Sequence, residues 1–304
     1  MMLVSKLDYR IWKRFSMVLY IGTVAVLILI FIIGTASHGA TRWIAIGSFQ
    51  FQPSEVAKLT VVIFTAHLAT ITARRIGHFS ELVKAMIAPL IIVGLIASEN
   101  LSTAIVCLAI AVVILFVASP KYWQFILIIA VGTIFMGIFL VVASYRLERI
   151  GVWLHPEEYD TGYQTLQALY AIGSGGLFGK GLGQSIQKLG FIPESHNDYI
   201  FSVLCEELGL FGAICIISMF MILIWRCMVI SNNAPDLFGS LIVIGVMTHI
   251  AVQVLVNIAV VTNSIPPTGV PLPFISYGGT ALCMVLVEMG VVLSVSRQIR
   301  IVKS

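Results

Sequence analysis

Residues 160–212 read DTGYQTLQALYAIGSGGLFGKGLGQSIQKLGFIPESHNDYIFSVLCEELGLFG and form the longest interruption between the hydrophobic runs of this chain. Six glycines fall within residues 173–183. Asp198 and the pair Glu206 and Glu207 then stand at the start of the next apolar segment. The rest of the chain has the pattern of lipid-facing helices, and we predict that those helices hold this interruption in place.

The composition excludes a soluble protein. Of the 304 residues, 59% are hydrophobic and 11% are charged, whereas a soluble domain carries about 25% charged residues. No soluble fold of this length could bury so many apolar side chains, so the chain is predicted to lie in a bilayer.

Eight segments are predicted to span the membrane, each near the ~20 residues that a helix needs. They lie at about 16–35, 55–73, 84–98, 102–118, 122–144, 199–228, 237–262 and 277–296. The sequence therefore predicts an all-α polytopic membrane protein with a single domain over 1–304. A large extracytoplasmic loop, about 145–198, is predicted between the fifth and sixth segments.

The distribution of basic residues predicts the orientation. Lysines and arginines gather at the N-terminus, in the turn after the second segment and in the C-terminal tail. Because cytoplasmic loops carry an excess of these residues, both termini are predicted to be cytoplasmic. Arg42, Lys180 and Lys188 then lie outside, where several cations together indicate a task such as holding an anion.

The carboxylates of the central stretch allow two interpretations each. With Asn197 as N-cap, Asp198 would fall in the first helical turn, where it could complement the helix dipole or carry chemistry. Glu206 and Glu207 lie two turns into a spanning helix, where carboxylates are costly and usually face a polar interior. Pairing with a basic residue is the favoured explanation for both glutamates.

The glycine-rich run GSGGLFGKGLG does not fit the phosphate-binding P-loop, because Gly181 follows Lys180 where that motif requires Ser or Thr. One interpretation is a tight re-entrant turn with close backbone packing. The other is a set of backbone amides that meets an anion together with Lys180. The two interpretations are compatible.

Three further features lie outside the central stretch. Glu55 and Lys58 are one turn apart near the start of an apolar helix, so an ion pair is the simplest explanation for both. Residues 262–279, with four prolines, cannot form a regular helix. They form either a rigid outer loop or the border of a cavity, which would include Pro273 and Ser276. The lone histidines of the apolar segments, His67 and His249, are predicted to be satisfied core residues.

Three long motifs resemble the SEDS family of cell-wall polymerases, which includes FtsW, RodA and SpoVE. They are RWIAIGSFQFQPSEVAKL, the run GYQTLQALYAIGSGG through HNDYIFSVLCEELGLFG, and PPTGVPLPFISYGGTALC. The resemblance extends from about Asp8 to Arg300 and keeps the order of the family. The run 167–185, together with Asn197, favours the FtsW and SpoVE members.

The resemblance implies a multi-span peptidoglycan glycosyltransferase that polymerises lipid II beside a class B penicillin-binding protein. The essential aspartate of the family lies in a PE-x-H-x-D-[FYM]-[IL]-F pattern. That pattern occurs here from Pro193 to Phe201, so the catalytic role is carried to Asp198 and substrate contacts are expected at Glu194 and His196.

Two departures accompany the resemblance. The family usually has ten spans, and only eight are predicted here. The opening LDYRIWKRF looks like the cytoplasmic turn after the second span of the family. We therefore expect that the first two helices are missing. Many members have a PDLGTA-like stretch where this chain has ENLSTA at 99–104. This chain therefore lacks the aspartate of that stretch, and any role of that aspartate is not carried over.

The implied reaction needs a base at the acceptor hydroxyl and positive charge at the diphosphate leaving group. Asp198 is the candidate base. The candidate cations are Arg42, Lys58, Lys180 and Lys188, with Mg²⁺ or Mn²⁺ as a further option and no certain cofactor. Glu55, Glu206, Glu207, Pro273 and Ser276 are expected to shape the cavity. Two alternatives stay open, a transporter that flips lipid II and a non-catalytic scaffold of the cell-wall synthesis complex.

Overall fold

The structure is a computed structural model. It describes residues 1–299 apart from 34, 38–39, 47–48, 99, 131, 133–150, 160–161, 189 and 191–194. For residues 31, 33, 35–37, 40–46 and 49–50 it describes the backbone alone.

Nine α-helices are labelled in the described part of the chain. They are α1 (Met2–Lys6), α2 (Arg10–Ile33), α3 (Pro53–Thr72), α4 (Phe79–Ala97), α5 (Leu101–Ala118), α6 (Tyr163–Gly175), α7 (Ile200–Asn232), α8 (Leu237–Val261) and α9 (Gly279–Arg297). Shorter helical pieces occupy 123–130 and 151–154, and a 3₁₀ turn covers Pro156–Glu158.

Local sequence explains where the spanning helices begin. Pro53 starts α3, where a proline fits because its fixed φ suits the first helical position and no amide partner is needed there. Asn100 caps α5, since its side chain accepts a hydrogen bond of 3.1 Å from the Thr103 amide. Asn100 belongs to the ENLSTA stretch, and it stands where the PDLGTA-like stretch has its aspartate. Its role as the cap of α5 gives this asparagine a structural function.

Seven of the described helices are long and apolar enough to cross a membrane, namely α2 to α5 and α7 to α9. Each corresponds to one predicted segment. The remaining prediction, 122–144, includes the helical piece 123–130, and its residues 131 and 133–144 lie outside the described residues. The chain is therefore an all-α, multi-pass membrane protein in its spanning part.

A small antiparallel sheet lies in the segment between α2 and α3. Its strands are β1 (Thr35–Ser37), β2 (Ala40–Ile46) and β3 (Phe49–Phe51), in the order β1-β2-β3. Ile44 pairs with Phe51 and Ile46 with Phe49. The β-branched and aromatic residues of this segment favour strands, a preference that hydropathy alone does not reveal.

The chain folds into two compact units. The first comprises the described residues of Met1–Gln124, Leu223–Val252 and Gly279–Ser304, and the second those of Phe125–Ile222 and Gln253–Gly278. Helix α3 is central to the first unit, because it packs against α2, α4, α5 and α9. Its buried position explains why the polar side chains of α3 need partners inside the protein.

Candidate active site

Asp198 lies in a turn formed by residues 195–199, immediately before α7 begins at Ile200. The prediction that Asn197 caps the helix and that Asp198 occupies its first turn is therefore wrong, because the helix begins later in the sequence. Asp198 is half-buried. This position leaves part of the residue accessible at the end of the helix.

Helix α8 holds the Asp198 turn through Asn257. The Asn257 side chain, 1% exposed, donates hydrogen bonds to the Asp198 carbonyl oxygen at 2.8 Å and to the Val270 carbonyl oxygen at 2.9 Å. One buried amide therefore ties the turn to the loop at 262–278. Sequence reasoning missed Asn257, although an amide side chain within an apolar segment is itself a signal.

The loop at 262–278 also contacts the turn directly. Ser276 donates its hydroxyl hydrogen to the Asn197 carbonyl oxygen at 2.7 Å and accepts a hydrogen bond from the Leu272 amide at 2.7 Å. The Tyr277 amide donates to the His196 carbonyl oxygen at 2.8 Å. Through these bonds Ser276 positions the turn that carries Asp198. Its place at the border of a cavity stays a prediction.

The Asp198 carboxylate lies against the loop backbone at Gly269. A Cβ atom at Gly269 would stand 3.3 Å from Asp198 Oδ2. Glycine at this position therefore leaves room for the carboxylate. Pro273 is buried in the same loop, and a place for it at the border of a cavity stays a prediction.

Glu206 is surrounded by donors from the glycine-rich run and from the residues that follow it. One oxygen, Oε1, accepts from Lys180 Nζ at 2.6 Å, and the other accepts from the Ser185 hydroxyl at 2.5 Å. The Gln187 amide donates to Oε2 at 3.3 Å. Glu206 is 0% exposed, so these donors replace the water that a carboxylate would otherwise require.

Glu207 has a similar set of donors. Its Oε1 accepts from Lys188 Nζ at 2.6 Å and from the Ser185 amide at 3.4 Å. The predicted pairing of both glutamates with basic residues is therefore confirmed. In this structure, the glycine-rich run and residues 185–188 together bind two carboxylates of the chain itself.

Glu55 and Lys58 form the ion pair that their spacing predicted. Lys58 Nζ lies 2.9 Å from Glu55 Oε1, and the side chains of Lys58 and Glu55 are 2% and 4% exposed. The second Glu55 oxygen is buried and has no hydrogen-bond partner among the described residues. This pair belongs to the first unit, whereas Asp198 belongs to the second.

The two predicted core histidines have partners within the first unit. His249 Nδ1 lies 2.7 Å from Glu288 Oε2, and both residues are buried. His67 Nδ1 lies 2.7 Å from the Ser16 hydroxyl. Both predictions of a satisfied histidine are confirmed for these atoms, although His67 is only half-buried.

The side chains of two predicted substrate contacts, Glu194 and Arg42, are not among those that the structure describes. Glu194 is outside the described residues, and Arg42 is described by its backbone alone, in β2. His196 is exposed, and its carbonyl oxygen rather than its ring makes the contact described above. The substrate-binding roles of these three residues stay predictions.

A sequence model described as "Cell cycle protein", which groups FtsW, RodA and SpoVE, matches residues 1–301. The chain belongs to this family. Among its relatives is Stage V sporulation protein E of Bacillus subtilis (strain 168), 40% identical over 310 residues. That match covers 99% of this chain and 84% of the relative.

A second relative in the FtsW/RodA/SpoVE family is the probable peptidoglycan glycosyltransferase FtsW of Geobacter sp. (strain M18). It is 38% identical over 305 residues, which cover 96% of this chain and 82% of the relative. The sequence prediction of family membership, including its inclination toward FtsW and SpoVE members, agrees with these relatives.

Solved structures of the family have the same fold. One, described as the structural coordination of polymerization and crosslinking by a peptidoglycan synthase complex, has a TM-score of 0.82 at 27% identity. It covers 98% of this chain and 85% of the solved chain. The rod shape determining protein RodA of Thermus thermophilus has a TM-score of 0.70 at 28% identity, with coverage of 98% and 82%.

A divalent metal needs several oxygen or nitrogen ligands that converge on one point. Within the described part of this family member, no three histidine, cysteine, aspartate or glutamate side chains gather as a metal-ligand set. Mg²⁺ is usually held by one or two carboxylates together with substrate phosphates, so a requirement for Mg²⁺ or Mn²⁺ stays a prediction.

Proposed function

We propose that this chain is a peptidoglycan glycosyltransferase that polymerises lipid II into glycan strands, with Asp198 as the general base. The observation that carries the proposal is the turn at 195–199. Its backbone accepts hydrogen bonds from Asn257, Ser276 and Tyr277, while Asp198 stays half-buried. A carboxylate whose backbone is fixed by such contacts is suited to meet a substrate hydroxyl in one geometry.

In the proposed reaction, the 4-hydroxyl of the acceptor sugar gives its proton to the Asp198 carboxylate as its oxygen attacks C1 of the donor sugar. The bond between C1 and the diphosphate oxygen breaks, and undecaprenyl diphosphate leaves with the electron pair. Attack from the opposite face inverts the configuration at C1. A positioned base contributes typically about 10²–10⁴-fold to such a step.

The leaving diphosphate requires positive charge, for which Arg42, Lys58, Lys180 and Lys188 are the candidates. Each of the three lysine ammonium groups lies between 2.6 and 2.9 Å from a carboxylate of the chain. A lysine that contacts the substrate must therefore do one of two things. Its ammonium group donates to the diphosphate while it keeps its carboxylate partner, or it leaves the carboxylate and binds the diphosphate instead. Glu194 and His196 are the other candidates for contact with the substrate.

The proposed partner is a class B penicillin-binding protein that cross-links the new glycan. Support comes from the similarity to a synthase complex that couples polymerization to crosslinking. The proposed location is the bacterial cytoplasmic membrane with both termini in the cytoplasm, which follows from the distribution of basic residues. Relatives named for sporulation and as FtsW support a role in sporulation or division, and the similarity to a rod shape determining protein supports one in elongation.

The direct test uses the purified chain, detergent-solubilised or in liposomes, with fluorescently labelled lipid II. We expect glycan chains that a muramidase degrades. Movement of labelled lipid II across the liposome membrane without polymer would instead support the transporter. Neither polymer nor movement, in folded protein supplied with a transpeptidase partner, would support a scaffold.

A further inference from the structure

Helix α7 is interrupted at Gly209. This residue has φ 67° and ψ −167°, far from helical values, within a segment that is otherwise helical from Ile200 to Asn232. Such a break leaves carbonyl and amide groups on either side without their helical partners. In a spanning segment those groups need partners from elsewhere in the protein, because lipid offers none.

Residues 176–188, here called the glycine-rich arm, supply the missing partners. Before the break, the carbonyl oxygens of Glu206 and Glu207 accept from arm amides, and after it the next two amides donate to arm carbonyls. The four bonds are Lys180 N to Glu206 O at 2.9 Å, Gly181 N to Glu207 O at 3.0 Å, Leu210 N to Gly176 O at 2.9 Å and Phe211 N to Leu177 O at 3.1 Å.

The arm and the helix touch backbone to backbone. A Cβ atom at Gly179 would overlap the Glu207 carbonyl oxygen, and one at Gly209 would overlap the Gly179 amide nitrogen. Only glycine permits this approach. The arm is therefore packed along the broken helix and does not form a separate loop above it.

Three polar side chains of the arm face the helix, whereas that of Gln184 is exposed. Lys180, Ser185 and Lys188 contact the two glutamates described above. The opposite edge of the arm is apolar and exposed: the exposed fractions are 65% for Leu177, 81% for Phe178, 75% for Leu182 and 52% for Ile186. A loop surrounded by water would have the reverse arrangement, with lysines outward and aromatic and aliphatic side chains inward.

The apolar edge continues an exposed apolar surface of α7. Leu210, Phe211 and Ile214 follow the break and are 53%, 65% and 54% exposed. They begin the apolar part of a candidate membrane span. Residues 210–230 alone cover about 30 Å at 1.5 Å per residue, which matches the hydrocarbon core. The arm then lies at the border between hydrocarbon and headgroups.

We propose that the glycine-rich arm is a re-entrant membrane element whose apolar edge inserts among the lipid chains of one leaflet. The leaflet is the one at the N-terminal end of α7. The arm closes the backbone of the broken helix on one side and contacts lipid on the other. If the proposed function holds, the arm also fixes the height of Asp198 above the membrane, where a lipid-linked substrate must reach it.

Spin labels on the arm test this insertion without reference to activity. Phe178→Cys and Leu182→Cys are labelled in full-length protein whose exposed Cys215 and Cys283 are replaced by serine. The protein is reconstituted in phosphatidylglycerol–phosphatidylethanolamine liposomes. Power saturation then compares access of oxygen, which concentrates in lipid, with access of a nickel chelate, which stays in water.

Two control positions calibrate the result. Ile214→Cys, on the exposed face of α7, reports lipid, and Glu157→Cys, whose side chain is 62% exposed, reports water. We expect positions 178 and 182 to have high oxygen and low nickel access, as at 214 but at a shallower depth. Values like those at 157 would overturn the proposal, and low access to both reagents would do so as well, because another protein surface would then cover the arm.

A second pair of variants tests the insertion in unlabelled protein. Phe178→Asp should raise the fraction of arm cleaved by a protease added outside the liposomes, whereas Phe178→Leu should leave it unchanged. Equal cleavage of wild type and both variants from the outset would contradict insertion. Because neither readout uses lipid II, a failed polymerisation assay would leave this inference standing, and the reverse also holds.

Discussion

At the level of single residues, Lys180 and Glu206 raise the question of whether a lysine of the glycine-rich arm binds substrate or holds the arm. Glu206 is fully buried, while the Lys180 side chain is 33% exposed. Removing one member of such a pair leaves an uncompensated charge, which costs about 3–5 kcal/mol for a fully buried pair. The partial exposure of Lys180 lowers the expected cost to about 2 kcal/mol.

A double-mutant cycle separates the two roles of Lys180. We expect Lys180→Met to destabilise the protein in detergent melting, and Glu206→Gln added to it to recover most of that loss. Polymerisation should recover in parallel. If the double variant melts like wild type but makes no glycan, Lys180 contacts substrate and the pairing is secondary.

Asn257 provides a second test among single residues. Asn257→Ala leaves the Asp198 and Val270 carbonyl oxygens without their donor, at about 1–3 kcal/mol for each buried group that stays unsatisfied. We expect polymerisation to fall by about tenfold or more, because the turn that carries Asp198 loses its contact with α8. Thr262→Ala is the control, since that hydroxyl bonds to its own helix and to Ser264. An equal effect of the two substitutions would contradict a specific role for Asn257.

At the level of elements, the contact between the glycine-rich arm and α7 predicts different tolerance at two glycines. Gly179 and Gly181 both have positive φ, at 77° and 103°. A side chain at Gly179 would overlap α7, whereas at Gly181 the nearest atom is Gln184 Cγ at 3.6 Å. Because both glycines have positive φ, an alanine at either position carries backbone strain of about 1–2 kcal/mol.

We expect Gly179→Ala to lower the melting temperature well beyond Gly181→Ala, because only the former also separates the arm from the helix. Melting of the two purified variants under the same detergent conditions measures the difference. Equal losses would show that the close approach at Gly179 is absent in the protein.

The His249–Glu288 pair links α8 and α9 within the first unit. The pair is buried, and His249 Nε2 and Glu288 Oε1 have no partner among the described residues. Replacing one member leaves the other buried without its hydrogen-bond partner, which should cost about 1–3 kcal/mol or more, while replacing both by leucine should be nearly neutral. Melting of His249→Leu, Glu288→Leu and the double variant gives the comparison. A double variant as unstable as the worse single one would contradict this account of the pair.

Hydropathy and residue spacing predicted the seven described spans and the pair Glu55–Lys58. They also predicted that Glu206 and Glu207 pair with basic residues, but the structure alone identifies those residues as Lys180 and Lys188. Hydropathy and spacing could do so because burial in lipid makes apolar length and unpaired charge costly. The break at Gly209 and the strands at 35–51 were not predicted. A single glycine in an apolar run carries no signal of its own, and its conformation depends on the arm that packs against it.

The Asp198 site was predictable only in part for the same reason. A local motif indicated Asp198, but Asn257 and Ser276 reach the turn from residues 59 and 79 positions away in sequence. Contacts over that separation depend on how helices pack, which periodicity does not describe.

At the level of the whole molecule, a multi-pass membrane protein of the FtsW/RodA/SpoVE family presents an aspartate at the end of a broken helix. Each of the two units contains buried polar pairs. Only the turn at 195–199, among the described residues discussed above, combines a half-buried aspartate with a backbone that Asn257 and Ser276 hold by hydrogen bonds. The role of Asp198 as general base is therefore the central claim.

The most direct test is polymerisation of labelled lipid II by Asp198→Asn, compared with wild type and with Asp8→Asn. Asp8 is an aspartate in the short segment between α1 and α2, so its substitution controls for the loss of one carboxylate. We expect Asp198→Asn to keep the wild-type melting temperature and to lose activity by about 10²–10⁴-fold, while Asp8→Asn stays active. Near-wild-type glycan synthesis by Asp198→Asn would contradict the role of Asp198 as the base.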